Sequence, residues 1–337
     1  MMRPFGNLRD ARAVDAITLG AADSLQAEVL TYGGILRRLT IPTRGGVKDL
    51  ILTLPDLTAY LRDTAFLGVI VGRFANRIAQ ARFELGGREY RLTANDGPNH
   101  LHGGTQGFGK RLWRVLALQR APRPQLLLGL TSADGEEGYP GTLDVTAEIR
   151  LEAAELRLQL EARCDATTPV SLTWHPYFNF SGQAGHRIDE HWLRLPASRY
   201  LPVRDSALIP TGEVADVAGT PFDFRSLRPI GAPALETHPQ LRNAGGYDHC
   251  WVLDAERDCD AELQCPESGV TMRLRSERPA IQFYGGQTLP GAHPGMSALC
   301  LEPQDFPNAV NEPGFPPALL PAGKTWRSVL RYQFSVA

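Results

Sequence analysis

Short runs in which apolar and polar residues alternate recur along most of the chain. They are clearest in four segments: ARFELGGREYRL (81–92), LDVTAEIRL (143–151), LRLQLEARC (156–164) and WRSVLRYQF (326–334). Because successive side chains of a strand point to opposite faces, this period of two predicts strands with one buried face. The pair Gly86-Gly87 interrupts the first segment and predicts a tight hairpin turn, since glycine tolerates the positive φ that such turns need.

Helical periodicity is rare. One short helix is predicted over LTAYLRD, with the preceding Asp56 as its N-cap, because an aspartate there accepts hydrogen bonds from the first free amides. The 33 glycines and 26 prolines are spread through the chain, and no repeat or low-complexity tract marks a linker. The sequence therefore predicts an all-β protein, a large antiparallel β-sandwich, with residues 1–337 as a single domain. Functional side chains are expected at strand ends and loops over a concave sheet face.

Composition and charge narrow the class of protein. The 337 residues are 43% hydrophobic and carry a net charge of −2, which allows a large core and argues against nucleic-acid or anionic-membrane partners. No segment resembles a signal peptide or approaches the roughly 20 apolar residues of a membrane span. The five cysteines are scattered without a C-x-x-C pair, which favours reduced thiols and a cytoplasmic location.

Several side chains capable of acid–base chemistry lie at the edges of predicted strands. They are His100 and His102 in NDGPNHLHGG, His175 in TWHPYFNF, Asp248 in GGYDHCWVL and Glu302 in CLEPQDFP. Each also has a structural interpretation. His175 fits a hydrogen-bonded histidine among aromatic residues, and Asp248 fits a turn. Glu302 fits an ion pair with Arg77. Taken singly, none of them establishes a function.

Two further patterns suggest a phosphate-binding loop and a metal site, and neither is complete. The segment GTQGFGK (104–110) matches most of a phosphate-binding loop, but Arg111 stands where the magnesium-binding Ser or Thr is required, and a loop precedes the segment. His100, His102 and His175 suggest a metal site. We expect the side chains of His100 and His102 to point apart, so no metal site is predicted.

Six segments, in order, resemble the aldose 1-epimerase (galactose mutarotase) family. They are GRFANRIAQARFELGGREYRLTANDGPNHLHGG, DGEEGYPGTLDVTAEI, TWHPYFNFSG, GGYDHCWVL, IQFYGG and CLEPQDFPNAVNEPGFPPALLPAGKTW. The resemblance runs from Gly72 to Trp326, and FGNLRD with VLTYGGILRRLTIP extends it almost to Phe5. It implies the large β-sandwich (supersandwich) of the galactose mutarotase type. It also implies interconversion of the α and β anomers of a free aldose such as galactose or glucose, with neither cofactor nor metal.

The resemblance also implies residue roles. Glu302 corresponds to the family's general base and His175 to its general acid. Positions matching groups that bind sugar hydroxyls are Asn76, Arg77, His102, Asp248 and Gln282. We expect Tyr177, Phe178 and Tyr284 to supply aromatic contacts to the sugar, and His100 to orient His102. Trp174, Pro176 and Gly285-Gly286-Gln287 depart from the family pattern, which leaves sugar preference open.

The implied reaction explains why an acid and a base are needed. Swapping anomers requires the hemiacetal ring to open, the aldehyde to rotate about C1–C2, and the ring to close on the other face. Opening removes a proton from the C1 hydroxyl and delivers one to the ring oxygen. We therefore expect a His175 pKa near neutrality, sustained by Glu302 or Asp248, and an ionised Glu302 assisted by Arg77.

Three other functions remain open from the residues. A catalytically silent sugar sensor on the same fold would be expected to lack the acid or the base, and both are present. An epimerase of hexose 6-phosphates would need a basic cluster, for which the chain offers chiefly Arg73, Arg77, Lys110 and Arg111. A glycoside hydrolase would use two carboxylates, such as Asp248 and Glu302. A small sugar is the expected partner, and both a monomer and a homodimer are compatible with the sequence.

Overall fold

Antiparallel strands make up most of the chain in the computed structural model, which describes residues 1–120, 122–182, 186–231, 237–289 and 296–337. The strands in those ranges, in chain order, are β1 Met2–Asn7, β2 Ala13–Leu19, β3 Gln26–Leu30, β4 Leu36–Thr43, β5 Gly46–Asp49, β6 Ile70–Val71, β7 Arg77–Ile78, β8 Arg82–Leu85, β9 Arg88–Arg91, β10 His100–Leu101, β11 Arg114–Gln119, β12 Gln125–Ser132, β13 Leu143–Glu152, β14 Glu155–Cys164, β15 Thr168–Pro169, β16 Thr173–Trp174, β17 Trp192–Arg194, β18 Arg199–Leu201, β19 Ala215–Asp216, β20 Arg228–Pro229, β21 Asp248–Val252, β22 Ala261–Cys265, β23 Val270–Ser276, β24 Ala280–Tyr284, β25 Cys300–Gln304, β26 Leu319–Leu320 and β27 Thr325–Val336. The helices are short, α1 Leu57–Arg62 and α2 Pro239–Ala244. The all-β prediction is confirmed.

The largest sheet has nine strands in the order β11-β12-β13-β14-β27-β23-β22-β17-β20. Its central strands β13 and β14 pair in continuous register from Leu143↔Cys164 to Glu152↔Glu155. Every second side chain of β13 is buried, as the alternation predicted, and the charged residues between them face outward. The buried face packs into one large core with the N-terminal sheet β1-β2-β3-β4-β5, so the two sheets form a sandwich.

A second five-stranded sheet, in the order β19-β18-β21-β24-β25, positions the polar side chains of interest. On one face Trp251, Phe283 and Leu301 join the large core. The residues between them face the other way, and the antiparallel register aligns them in two cross-strand rows. These rows are Asp248–Tyr284–Cys300 and Cys250–Gln282–Glu302. Because alternate side chains of a strand point to the same side, the carboxyl, amide, phenol and thiol groups of these residues lie on a single face of the sheet.

Two local predictions are confirmed. Strands β8 and β9 form the expected hairpin, closed by Gly86 and Gly87 at φ of 61° and 77°. Helix α1 begins after Asp56, whose Oδ1 accepts a 2.9 Å hydrogen bond from the Ala59 amide.

The loop after α1 is held by a second aspartate. The Asp63 carboxylate accepts from the Ala65 and Leu67 amides at 2.9 and 2.8 Å, which holds residues 64–66 beside the second sheet.

Among the described residues, no helix is long and apolar enough to cross a membrane.

Candidate active site

A cavity of about 270 Å³ lies over the polar face of the second sheet. Its walls come from the loop after α1, from β7 and β10, from the segment after β16, and from the three adjacent strands β21, β24 and β25. The lining residues are Thr64, Ala65, Phe66, Asn76, Arg77, Leu101, His102, His175, Tyr177, Asp248, Tyr284, Thr288 and Glu302. Most of the side chains that the sequence singled out therefore meet in one place.

His175 and Glu302 form the most buried pair in this cavity. His175 Nε2 lies 3.5 Å from Glu302 Oε2, and the two residues are 3% and 1% exposed. Glu302 is the third residue of β25, and His175 directly follows β16, where its amide donates to the Val69 carbonyl at 3.0 Å. On the far side of the ring, His175 Nδ1 lies 3.4 Å from Cys300 Sγ. Both groups are thus held by strand backbone rather than by a mobile loop.

Burial dominates the electrostatics of the pair. It raises the pKa of Glu302 well above its ordinary value, Asp248 raises it further, and Arg77 opposes both. Burial lowers the pKa of His175 to about 4. The expectation of a near-neutral His175 pKa is therefore wrong, because desolvation of the imidazolium outweighs the attraction of the carboxylates. In the empty cavity, burial therefore favours the uncharged form of both groups, the protonated carboxyl of Glu302 and the neutral imidazole of His175.

His102 presents a hydrogen-bond donor to the cavity. Its Nδ1 accepts a 3.2 Å bond from the Asn76 amide, and burial lowers its pKa well below the ordinary value. A neutral imidazole that accepts at Nδ1 must carry its proton on Nε2. The prediction that His100 orients His102 is wrong. The His100 ring instead contacts Thr93 O at 2.7 Å and Tyr139 Oη at 2.8 Å.

His100 and His102 do point apart, but their spacing alone does not explain it. Residues two apart on a regular strand share a face. His102 lies just beyond β10 and adopts a φ of 50°, which turns its side chain away from the direction of His100.

Two of the expected sugar-binding groups are engaged with other side chains. Gln282 is 3% exposed and does not line the cavity, and its Nε2 donates to Asp248 Oδ1 at 2.6 Å. It therefore supports Asp248, while its Oε1 has no hydrogen-bond partner among the described residues, and its role in binding a sugar hydroxyl stays a prediction. Arg77 lines the cavity but donates its Nε to Asp96 Oδ2 at 2.7 Å, so the alternative of an Arg77–Glu302 ion pair is also wrong.

The aromatic residues that were predicted to contact the sugar differ in whether they line the cavity. Tyr177 and Tyr284 line the cavity, and Tyr177 Oη donates to the Ala65 carbonyl at 2.7 Å. Phe178 is fully buried and packs in the core against Phe180 and Tyr332, so its predicted contact with a ligand is wrong. Neighbours on an extended segment point to opposite sides, which places Tyr177 in the cavity and Phe178 behind it.

Phe66 is a lining residue that the sequence reasoning missed. Its ring centroid lies 4.7 Å from that of His102 and 6.3 Å from that of His175, and its φ is 58°. An aromatic residue in a loop carries no periodic signal. The local signal in the sequence is Asp63, three residues earlier, because an aspartate can fix a turn by accepting from the amides that follow it, as it does here.

The same cavity contains the one group of potential metal ligands found among the described residues. Ligand atoms of His102, His175 and Glu302 all lie within 4.8 Å of one another. A metal needs an unprotonated nitrogen, whereas the Asn76 amide leaves the proton of His102 on Nε2. The group therefore suits ligand oxygens, which can accept from His102 and exchange protons with the other two residues.

A polar cavity on an antiparallel β-sandwich, with a buried carboxyl–imidazole pair, defines an acid–base site for a small hydroxylated ligand. The family model described as Aldose 1-epimerase matches residues 15–333. The chain belongs to the aldose 1-epimerase family.

Named relatives and solved structures agree with this assignment. The chain is 39% identical to galactose mutarotase of Sus scrofa, covering 99% of this chain and 98% of the relative. It is 33% identical to aldose 1-epimerase of Escherichia coli K12, covering 96% of each. Galactose 1-epimerase of Lactobacillus acidophilus superimposes with a TM-score of 0.88 at 27% identity, over 100% of this chain and 99% of that one.

Proposed function

We propose that this protein is an aldose 1-epimerase that interconverts the α and β anomers of a free aldose such as galactose or glucose. The observation that carries the proposal is the buried pair of His175 Nε2 and Glu302 Oε2, 3.5 Å apart in a cavity with hydroxyl-binding groups around it. The relatives named galactose mutarotase and aldose 1-epimerase, at 33–39% identity over nearly the full chain, support it.

The single proton of the pair is sufficient for the chemistry. With that proton transferred to His175 Nε2, Glu302 takes the proton of the C1 hydroxyl while His175 donates to the ring oxygen, and the C1–O5 bond breaks. The aldehyde rotates about C1–C2. Ring closure on the opposite face returns one proton from Glu302 to the new C1 hydroxyl and the other from the C5 hydroxyl to His175. Neither a covalent intermediate nor a redox step is involved.

The remaining cavity groups are assigned to the sugar hydroxyls. The His102 Nε2–H donates, the Asp248 carboxylate accepts, and Arg77 and Asn76 bind hydroxyls remote from C1. A buried hydroxyl left without a partner costs about 1–3 kcal/mol, so each of these groups contributes to affinity and to sugar preference. Tyr177, Tyr284 and Phe66 supply apolar surface for the ring carbons.

Removing the His102 donor is expected to weaken sugar binding. His102→Ala should raise the dissociation constant for galactose by about 5- to 150-fold, equivalent to about 1–3 kcal/mol. The measurement is calorimetric or fluorescence titration in a Glu302→Gln background, where the sugar is not turned over. The partly exposed His186, which does not line the cavity, gives the control His186→Ala. Unchanged affinity in His102→Ala would remove His102 from the sugar site.

The pKa values predict an unusual pH profile. The active pair carries one proton. A second proton binds as the pH falls through the His175 pKa of about 4, and kcat/KM then falls because Glu302 can no longer act as a base. At the alkaline end, kcat/KM falls as the pH rises through the raised Glu302 pKa, because the pair loses its only proton. After subtraction of the spontaneous rate, activity should hold through pH 6.5. An acid limb centred near about 6.5, the ordinary histidine value, would contradict this.

Exchange spectroscopy tests the proposed function itself. Two-dimensional proton exchange NMR at anomeric equilibrium measures α-to-β exchange for galactose, glucose and arabinose with and without the protein. Exchange cross-peaks that grow with protein concentration support the proposal and rank the sugars. Exchange at the spontaneous rate for every free aldose would reject it and favour the silent sensor.

Most of the basic residues that a hexose 6-phosphate epimerase would need are engaged elsewhere in the fold. Arg73 is 2% exposed and donates to the backbone carbonyls of residues 132, 133 and 140. Lys110 Nζ donates to the Asp63 carbonyl, and Arg111 pairs with Glu136. Among these cations only Arg77 lines the cavity, which favours a neutral sugar over a phosphate dianion. Competition of glucose 6-phosphate against galactose separates the two.

We further propose a cytoplasmic location, which the five unpaired and buried cysteines support. A monomer and a homodimer both fit the proposal, and light scattering distinguishes them.

A further inference from the structure

The glycine-rich segment GTQGFGK (104–110), whose sequence resembles a phosphate-binding loop, holds a carboxylate of the chain itself. Glu137 accepts from two successive backbone amides of this segment, with Thr105 N at 3.3 Å from Oε2 and Gln106 N at 2.7 Å from Oε1. A Cβ at Gly104 would collide with the same Oε2, so a side chain there would displace the carboxylate. Successive amides that converge on an anion are what a phosphate-binding loop offers, and here Glu137 takes the place of the phosphate.

Glu137 lies in a short helical turn, Glu136–Gly138, that is itself anchored to the fold. Its carbonyl accepts from the Thr93 amide at 3.1 Å. Arg73, which is 2% exposed, holds the chain on both sides of the turn by donating to the carbonyls of residues 132, 133 and 140 at 2.9, 2.8 and 3.1 Å. The carboxylate therefore reaches the glycine-rich segment from a backbone that is fixed by several hydrogen bonds.

The amides that Glu137 holds belong to the turn that carries His102. Thr105 follows His102 by three residues, and the His102 amide donates to the Asn76 carbonyl at 3.1 Å. His102 has a φ of 50°, a conformation that residues with a side chain adopt when the surrounding structure holds them there. The turn is thus held by Asn76 at its start and by Glu137 three to four residues later. In this position His102 Nδ1 accepts from the Asn76 amide at 3.2 Å, which leaves the Nε2–H for the cavity.

We propose that Glu137 is a positioning residue, which fixes the turn after β10 and thereby directs the His102 donor at a sugar hydroxyl. This inference rests on the proposed function, because that hydroxyl belongs to the substrate of the reaction. Glu137 does not line the cavity, so it acts through His102 rather than by contact with the sugar. Its removal should therefore weaken sugar binding and leave the proton transfers of His175 and Glu302 intact.

Glu137→Ala should raise the KM for galactose by about 3- to 10-fold and change kcat by less than about twofold, because two hydrogen bonds to a charged group are lost while the imidazole itself remains. Glu137→Gln keeps the size of the side chain and one acceptor oxygen, so its KM should rise less. The control is Glu84→Ala, which removes an exposed glutamate of strand β8 outside the cavity and should change neither constant.

A double-variant cycle separates the positioning of His102 from a general loss of stability. Dissociation constants for galactose are measured in the Glu302→Gln background for His102→Ala, for Glu137→Ala and for their combination. If Glu137 acts through His102, Glu137→Ala weakens binding while His102 is present and has little further effect once His102 is replaced. An unchanged dissociation constant in Glu137→Ala, or an equal loss with and without His102, would overturn the inference.

A second readout needs no sugar. Long-range proton–nitrogen correlation spectra of ¹⁵N-histidine-labelled protein report the His102 ring, whose signals are assigned by comparison with His102→Ala. We expect a protonated Nε2 in the wild type and in Glu84→Ala, and shifted ring signals with a fraction of protonated Nδ1 in Glu137→Ala, where the bond from the Asn76 amide is loosened.

Unchanged His102 signals in Glu137→Ala would overturn the inference, whatever happens to the rates. Because the spectra need neither sugar nor turnover, they judge the Glu137 role even if the protein fails to accelerate anomer exchange. That failure would reject the proposed function separately.

Discussion

Glu302→Gln should lower kcat for anomer interconversion by about 10²–10⁴-fold, the usual contribution of a general base, while galactose still binds. Glutamine keeps the shape of the side chain and some of its hydrogen bonds, but it cannot take the C1 hydroxyl proton. It also removes the carboxyl whose pKa is raised by burial, which favours keeping a proton within the pair. Initial rates by polarimetry, at matched protein concentrations, give the effect on kcat.

The control is Glu161→Gln on strand β14, where a partly exposed glutamate lies 3.7 Å from Arg327 on the outer face of the nine-stranded sheet. It should leave kcat and KM unchanged. If Glu302→Gln retained more than about a tenth of the wild-type kcat, Glu302 would not be the general base.

His175→Asn should produce a loss of similar size, about 10²–10⁴-fold in kcat, because it removes the imidazole that lies 3.5 Å from Glu302 and is proposed to deliver the proton to the ring oxygen. The two residues exchange one proton and act as a unit. The double variant Glu302→Gln with His175→Asn should therefore be little slower than the slower single variant, since residues acting as a unit are strongly non-additive.

Additive losses in that double variant would mean that Glu302 and His175 act in independent steps. His102→Ala serves as the comparison, because it is expected to weaken binding and to leave kcat far less affected. Rates at saturating sugar separate the two effects.

The long strands could be predicted from the sequence because one face of each of them is buried. The alternation in 143–151 and 156–164 predicted strands that the structure extends by only one residue at one end of each. Asp56 and Gly86-Gly87 predicted a helix cap and a turn because their chemistry is local. The family resemblance supplied the proposed catalytic pair, which no local pattern distinguishes from a structural histidine and a structural ion pair.

The remaining features depend on contacts that no local pattern encodes. Tyr177 and Phe178 are adjacent aromatic residues. The backbone β-bridges of Phe178 to Ile51 and Leu299 determine which of the two side chains faces the cavity. Gln282 donates to Asp248 from the neighbouring cross-strand row, a contact that is set by strand register. The His175 pKa depends on burial by surrounding segments, which made a charge-based argument misleading.

The departures from the family pattern lie outside the cavity wall. Trp174 is fully buried in the large core, and its Nε1 donates to the Gly34 carbonyl at 3.2 Å. Gly286 adopts a φ of 67°, and a Cβ there would meet the Ala298 carbonyl oxygen at 2.1 Å, so backbone geometry explains this glycine. Neither residue lines the cavity, nor does Pro176. Sugar preference is therefore expected to follow from Arg77, Asp248 and their neighbours.

The most direct test of the account is polarimetry of freshly dissolved α-D-galactose and α-D-glucose with the wild type and the Glu302→Gln, His175→Asn double variant. We expect the wild type to bring at least one sugar to equilibrium faster than buffer, and the double variant to follow the spontaneous rate. A wild type that matches buffer with every aldose, or a double variant as fast as the wild type, would contradict it.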